Sequence, residues 1–173
     1  MKSKLAVVGA AGRVGRRIIA LAVEAGEFEI VAASDAKGHP DLGKDAGTLA
    51  GVGPLGVALS AQCGAGADVA IDFSLPEAAG NTVAYCLENG IPLVMGTTGL
   101  GAEQHATVIE SAQKIPVIYG TNMSVGMNIL FALVGKAAAM LGPEFDIEIV
   151  EQHHRFKKDA PSGSALTLAE RIC

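Results

Sequence analysis

Short apolar runs alternate with helix-like segments from residue 5 to residue 119 of the chain. The apolar runs, bounded by Gly, Pro, Asp or other polar residues, cover residues 5–8, 29–33, 69–73, 93–95 and 117–119. Runs of this length fit strands, and the segments between most of them are long enough for helices. The alternation predicts an α/β fold in which helices cover a parallel sheet.

Three of the intervening segments have helical character: 13–25, 76–89 and 102–114. The second of them follows the capping box Ser74-x-x-Glu77 and stops at Gly90, which are signals for the start and end of a helix. Residues 35–62 are rich in Gly, Asp and Pro. They are predicted to be mostly loop, with a weak strand near 57–59.

The pattern changes after Met123. Residues 124–141 form one long, largely apolar segment, predicted to be a helix that is buried on most sides. An alternating strand at 146–150, a charged loop and a last helix starting near Ser162 follow it. Residues 124–173 are few for an independent domain. The chain is therefore divided into a first domain, 1–123, and the beginning of a second, 124–173.

Composition and charge exclude several classes of partner. The 13 Lys and Arg are outnumbered by 18 Asp and Glu, and no basic stripe occurs, so nucleic acid and anionic membranes are poor partners. We expect a cytoplasmic protein, because no signal peptide and no uninterrupted membrane span is evident. Cys63, Cys86 and Cys173 lack metal-ligand spacing and are expected to be reduced thiols, and no metal site is predicted.

A glycine loop lies between the first predicted strand and the first predicted helix. Gly9, Gly12 and Gly15 have the spacing G-x-x-G-x-x-G. Glycines let the backbone approach a pyrophosphate, although helix–strand turns also use glycine for packing alone. Asp35 follows Gly15 by twenty residues, at the end of the second strand, where a carboxylate can bind ribose hydroxyls. Together these features predict a dinucleotide site.

The same residues bear on the choice of coenzyme. Asp35 would repel the 2′-phosphate of NADPH, whereas Lys37 and Arg13 could counter that repulsion. We therefore expect NADH to be preferred, with use of NADPH also open.

Small polar residues follow three further strands, in the loops Asp72-Phe73-Ser74, Gly96-Thr97-Thr98-Gly99 and Gly120-Thr121-Asn122-Met123. Ligands of open α/β sheets bind at the carboxyl ends of the strands, so these loops are expected to border the nicotinamide half of the coenzyme. Ordinary turn chemistry and helix capping are the alternative explanation, above all for Ser74 and Asp72.

Residues 151–165 are the most informative segment. It contains two adjacent histidines, three cations and a Ser-Gly-Ser helix start: EQHHRFKKDAPSGSA. A solvated charged loop is the ordinary reading of such a run. The combination also fits a receptor for a dianionic substrate with acid catalysts beside it, since a histidine side chain can donate a proton near neutral pH.

In this context the sequence resembles a known family. The run E-x-H-H-x-x-K-x-D-A-P-S-G-[ST]-A, together with GAAGRVGR, DFSxPE, GTTG and NMSVGMN in order, is similar to the 4-hydroxy-tetrahydrodipicolinate reductases, also called dihydrodipicolinate reductases. The resemblance extends from residue 5 to residue 170. It implies a Rossmann-type parallel sheet followed by the beginning of an α+β substrate domain. It also implies NAD(P)H-dependent reduction of a cyclic dicarboxylate, 4-hydroxy-tetrahydrodipicolinate, to tetrahydrodipicolinate in lysine and diaminopimelate biosynthesis, by a homotetramer.

The resemblance assigns roles to individual residues. His153 matches the proton donor and Lys157 its partnering acid or substrate-orienting cation. His154 matches a substrate-contacting histidine, and Gly163 and Ser164 match a Gly-Thr pair that holds a substrate carboxylate. The matched cofactor contacts are Gly9, Ala10, Ala11, Gly12, Arg13, Val14, Asp35, Gly96, Thr97, Thr98, Gly120, Thr121, Asn122 and Met123. Adjacent side chains of an extended segment face opposite ways, so His153 and His154 are expected to act differently.

Members of the family continue well past the last helix, so the resemblance implies that this chain lacks the C-terminal part. One alternative is therefore a truncated, non-catalytic fragment that binds the dinucleotide and exposes apolar surface. Another is a different Rossmann oxidoreductase, such as an aldehyde or homoserine dehydrogenase. That alternative requires a nucleophilic cysteine or another catalytic constellation, and the cysteines lack an activating context.

Overall fold

The computed structural model describes residues 1–153, 155 and 160–173. The chain forms two compact units, Met1–Tyr119 and Gly120–Cys173. The strands of the first unit are β1 (Ser3–Val8), β2 (Phe28–Ser34), β3 (Leu59–Ser60), β4 (Val69–Asp72), β5 (Leu93–Met95) and β6 (Val117–Tyr119). Its helices are α1 (Arg13–Ala25), α2 (Ala46–Ala50), α3 (Pro76–Asn89) and α4 (Ala102–Ser111). The second unit contains α5 (Val125–Leu141) and α6 (Gly163–Ile172).

The six strands of the first unit form one parallel sheet with the order β3-β2-β1-β4-β5-β6. This confirms the predicted α/β fold with a parallel, Rossmann-type sheet. The chain runs outward in one direction from β1 to β3 and in the other from β4 to β6. The carboxyl ends of β1 and β4 therefore flank the crevice where open α/β sheets bind ligands.

Side chains on the two faces of the sheet form two separate cores. Leu5 and Val7 of β1 pack with Ile19 of α1 on one face. On the other face, Ala6 of β1 belongs to the cluster that includes Val83 of α3 and Val108 of α4. Successive residues of a strand point to opposite faces, so β1, which is buried on both, reads as a continuous apolar run.

The segment 35–62 is mostly loop, as predicted, with the short strand β3 close to the predicted position. It also contains the short helix α2, which was not predicted and which the Asp45 carboxylate caps by accepting the Thr48 N–H at 2.9 Å. One local prediction in the first unit is wrong. The predicted box Ser74-x-x-Glu77 does not form, because Leu75 is the N-cap of α3 and makes no side-chain cap bond. Pro76 occupies the first helical position, where a backbone N–H would have no acceptor within the helix, so its absence costs no hydrogen bond. The Ser74 N–H is bound to Asp72 instead.

The predicted strand at 146–150 is also wrong, since the structure has no strand there. An extended segment needs a hydrogen-bonded neighbour to form a strand, and no strand is described elsewhere in the second unit. The long apolar helix is present as α5, but it is not buried on most sides. Phe131 is its buried residue, whereas Val125, Leu133 and Met140 are exposed.

The second unit is held together by contacts between α5 and α6. A Cβ atom on Gly135 would lie 2.7 Å from the carbonyl oxygen of Arg171, so glycine permits the close approach of the two helices. No helix in the described parts of the chain is long and apolar enough to cross a membrane.

Candidate functional site

The glycine loop after β1 has no room for a side chain at two of its glycine positions. Gly9 adopts a φ of 74°, and a Cβ atom there would lie 2.7 Å from the carbonyl oxygen of Phe73. A Cβ atom on Gly15 would lie 2.1 Å from the carbonyl oxygen of Gly9. Gly12 is the N-cap of α1 and no side chain caps the helix start. The loop thus leaves a helix N-terminus accessible to an anion.

Asp35 is joined directly to this loop. Its Oδ2 atom accepts the Ala11 N–H at 2.9 Å, and its Oδ1 atom accepts the Ala36 N–H at 2.8 Å. A cleft of about 1120 Å³ runs past both features. Its lining includes Gly9, Gly12, Asp35, Lys37, His39 and Ser74. The structure therefore brings the glycine loop and the acidic residue to one cavity.

Arg16 holds the glycine loop from the other side. Its Nε atom donates to the Ala11 carbonyl oxygen at 2.7 Å, and its Nη2 atom lies 3.1 Å from Asp41 Oδ2. Lys44 Nζ lies 2.7 Å from Asp41 Oδ1, and this hydrogen bond lowers the pKa of the Asp41 carboxyl. Sequence reasoning missed this network, because Asp41 lies in a segment with no periodic pattern.

Asp72 connects the loops that follow β4 and β5. Its Oδ1 atom accepts the Ser74 N–H at 2.7 Å and the Thr97 hydroxyl at 2.9 Å. Both Asp72 and Thr97 are buried, and Asp72 Oδ2 has no hydrogen-bond partner among the described residues. A Cβ atom on Gly96 would lie 2.3 Å from the Phe73 ring, so the two loops pack tightly.

The cysteines are free thiols. Cys63 lines the cleft and lies 3.2 Å from the Ser34 hydroxyl. Burial raises the pKa of the Cys63 thiol, and it raises the pKa of Cys86 to about 12. Both thiols are therefore protonated at neutral pH and are poor nucleophiles.

In the second unit, the loop before α5 is bonded to α6. Asn122 Nδ2 donates to the Ser164 hydroxyl at 3.0 Å, and the hydroxyls of Thr121 and Thr167 lie 3.0 Å apart. Ser162 caps α6 by accepting the Ala165 N–H at 3.1 Å. Two groups of predicted site residues, in the 120–123 loop and at the start of α6, are thus in contact.

His153 lies next to a residue that sequence reasoning missed. Its Nδ1 atom is 3.5 Å from Glu151 Oε2, and Glu151 Oε1 accepts the Ser162 N–H at 2.8 Å. The sequence signal for this contact is the two-residue spacing of Glu151 and His153, because residues two apart in an extended segment project to the same side. The predicted site residues His154 and Lys157 lie outside the described residues.

Within residues 1–153, 155 and 160–173, no three or more His, Cys, Asp and Glu side chains are grouped to hold a metal ion.

Comparison with known protein families gives two matches that together cover nearly the whole chain. Residues 3–123 match the model described as "Dihydrodipicolinate reductase, N-terminus". Residues 126–173 match "Dihydrodipicolinate reductase, C-terminus".

Similar curated proteins are named 4-hydroxy-tetrahydrodipicolinate reductase. One from Alkalilimnicola ehrlichii is 48% identical and aligns with 99% of this chain and 66% of its own length. One from Citrifermentans bemidjiense is 47% identical and aligns with 98% of this chain and 64% of its own length. The chain thus spans slightly less than two thirds of these relatives.

A solved structure, the dipicolinate-bound dihydrodipicolinate reductase from Paenisporosarcina sp. TG-14, has a similar fold. It aligns with a TM-score of 0.67 and 26% identity over 99% of this chain and 66% of that one. The NADH-bound WlbA dehydrogenase from Chromobacterium aligns with a TM-score of 0.55 and 18% identity over 80% of this chain and 40% of that one, a likeness of fold alone.

Proposed function

Because the chain belongs to the dihydrodipicolinate reductase family, we propose that it supplies the coenzyme-binding and proton-donating residues of a 4-hydroxy-tetrahydrodipicolinate reductase. The reaction is the NAD(P)H-dependent reduction of 4-hydroxy-tetrahydrodipicolinate to tetrahydrodipicolinate in lysine and diaminopimelate biosynthesis, a pathway of the cytoplasm. The observation that carries the proposal is the hydrogen bond between Asp35 and Ala11, which joins the acidic residue to the glycine loop at one cleft.

The residues around the cleft fit a dinucleotide. Glycines at positions 9, 12 and 15 stand where a Cβ atom would meet backbone, so the loop can approach a pyrophosphate. The uncapped start of α1 offers N–H groups to its charge. Asp35, which lines the same cleft, is proposed to bind a ribose hydroxyl. Gly96, Thr97 and Thr98, with Gly120 to Met123, are proposed to border the nicotinamide.

NADH is the proposed preferred coenzyme. The Asp35 carboxylate lines the cleft and would repel a 2′-phosphate. Arg16 and Lys44, two cations of this region, are already paired with Asp41 and so offer less charge to that phosphate. Lys37 lines the cleft and supports residual use of NADPH.

The second unit is proposed to bind and protonate the substrate. Dipicolinate, the molecule bound in the Paenisporosarcina relative, is a cyclic dicarboxylate like the proposed substrate. Gly163 and Ser164 at the start of α6 are suited to a substrate carboxylate, because N–H groups and a hydroxyl converge there. His153 is the proposed proton donor, with Lys157 as its partnering cation and His154 as a substrate contact. The bound coenzyme would supply the hydride.

A second candidate is a dinucleotide-binding protein without turnover. Large apolar side chains along α5 and at 145–150 are exposed, as expected if the substrate-binding unit is incomplete. The homotetramer that the family resemblance implies likewise stays a prediction for this chain, and light scattering would measure it.

The deciding experiment is oxidation of NADH and of NADPH by the purified chain. The preceding synthase would generate the substrate in place from pyruvate and aspartate semialdehyde. The reductase is supported by turnover that His153→Ala abolishes while NADH binding, measured by direct titration, is kept. NADH binding without turnover would favour the second candidate, and no binding of either coenzyme would reject both.

A further inference from the structure

Glu151 contacts both the proposed proton donor and the start of α6. Its Oε2 atom lies 3.5 Å from His153 Nδ1 and accepts the Ser162 hydroxyl. Its Oε1 atom accepts the Ser162 N–H at 2.8 Å. The Glu151 side chain is partly shielded, with 29% of its surface exposed, while that of His153 is 40% exposed. The carboxylate therefore has a fixed orientation that its neighbours determine.

We propose that Glu151 is a positioning residue that holds the His153 imidazole by its Nδ1 atom and fixes that ring relative to the helix start at Ser162. The inference deepens the proposed function, on which the role of His153 rests.

The chemistry of the imidazole ring supports this role. In a neutral histidine one nitrogen carries the proton and the other does not, and the partner of one nitrogen decides which. A carboxylate can only accept a hydrogen bond, so Glu151 favours the tautomer with its proton on Nδ1. The Nε2 atom then points away from Glu151, so it is the nitrogen that takes up a second proton from solvent, giving the imidazolium, and passes that proton to the substrate. Acid catalysis requires such an orientation before it requires any particular acidity.

The contacts with Ser162 fix the orientation of the Glu151 carboxylate. Two donors of one residue, a backbone N–H and a hydroxyl, bind the two oxygens and prevent rotation of the carboxylate. The same hydroxyl accepts the Ala165 N–H, so the start of α6 and the Glu151 carboxylate share one hydrogen-bonded chain, and the His153 Nδ1 atom lies 3.5 Å from that carboxylate. Arg155 is two positions after His153 in the chain, and Arg171 is at the opposite end of α6.

The rival explanation is that Glu151 only caps α6. Glu151→Gln separates the two roles, because the amide oxygen can still accept the Ser162 N–H, as Oε1 does, while the amide nitrogen in place of Oε2 becomes a donor toward Nδ1 and toward the Ser162 hydroxyl oxygen. A donor in that position favours the proton on Nε2. Glu148→Gln is the matched control, since Glu148 is an exposed glutamate of the same segment.

The test is ¹⁵N NMR of the His153 imidazole in the purified chain at about pH 9, where histidine side chains are neutral. We expect the Nδ1–H tautomer to dominate in the unsubstituted protein and in Glu148→Gln. In Glu151→Gln the ratio of Nδ1–H to Nε2–H should fall about five-fold, the factor for one ordinary hydrogen bond.

The inference is overturned if the unsubstituted protein already holds its proton mainly on Nε2, a result that needs no variant to fold. It is also overturned if Glu151→Gln leaves the tautomer ratio unchanged. Because this measurement requires no turnover, it is independent of the catalytic assay. In an active preparation, Glu151→Gln should lower kcat about ten-fold with NADH affinity unchanged.

Discussion

The carboxylate of Asp35 accepts the backbone N–H of Ala11, with 2.9 Å between Asp35 Oδ2 and Ala11 N. The Ala11 carbonyl oxygen in turn accepts from Arg16. One residue of the glycine loop, Ala11, is therefore held by an acid at the end of β2 and by a cation within α1. The shape of the loop and the position of the acid are coupled before any coenzyme arrives.

Asp35→Ala should weaken NADH binding about ten-fold, because the ribose loses a charged acceptor. NADPH should lose less, since the variant also removes repulsion of the 2′-phosphate. Fluorescence titration with each coenzyme measures both. Asp68→Ala is a suitable control, because Asp68 accepts the Lys4 N–H at the other end of β1. Equal losses for the two coenzymes would show that Asp35 only shapes the loop.

Gly15→Ala should lower the free energy of unfolding by about 2 kcal/mol or more, because its Cβ atom would lie 2.1 Å from the Gly9 carbonyl oxygen. Gly80→Ala is the matched control within α3. A Cβ atom there meets nothing within 4 Å, and alanine should raise helix stability by about 0.5–1 kcal/mol. Urea denaturation measures both changes. Tolerance of Gly15→Ala would contradict the close packing of the loop.

Thr97→Val should destabilise the chain by about 1–3 kcal/mol, because the buried Asp72 carboxylate loses a donor and already has one oxygen without a described partner. Thr97→Ser keeps the hydroxyl, so its loss of unfolding free energy should be less than about half of that in Thr97→Val. Thermal unfolding of the two variants gives the comparison. If the Thr97→Val variant is as stable as the Thr97→Ser variant, the Asp72–Thr97 hydrogen bond is not what holds these loops together.

Stability should fall at alkaline pH because of Cys86. Burial raises the pKa of this thiol from 9.0 to about 12, so the folded state favours the protonated form. Its contribution is complete below pH 9.0 and is lost as pH rises toward 12. Cys86→Ala should show a shallower decline of unfolding free energy across that window. Parallel curves would indicate that Cys63, Tyr85 and Tyr119, whose pKa values are also raised, account for the decline.

Much of the fold was accessible from the sequence because its signals are local. Residues 13–25 and 76–89 form helices at the predicted bounds, and the runs at 93–95 and 117–119 are strands. These segments carry their own start and stop residues and bury faces that their own periodicity defines. The strand at 146–150 failed for the opposite reason. Its pattern is correct for a strand, but pairing depends on residues elsewhere, which the local pattern does not contain.

The candidate site likewise has one part that could be predicted from the sequence and another that could not. Glycine spacing and the position of Asp35 predicted a dinucleotide site, and the structure brings the glycine loop and Asp35 to one cleft, because both positions follow from chain order around a parallel sheet. The Arg16–Asp41 pair links residues 25 apart through a loop, and no periodicity relates them. The two-residue spacing of Glu151 and His153 could have predicted their contact, but the charged residues around Glu151 do not distinguish it from a solvated loop residue.

The exposed apolar side of α5 includes Val125, Ile129, Leu133 and Met140. We expect this surface to make the stability of the chain depend on protein concentration. Surfaces of this kind favour association, and any process that joins folded chains stabilises them by mass action. Melting temperature should therefore rise with protein concentration. Dilution, more than denaturant, would show how stable the second unit is when the exposed side of α5 contacts only water.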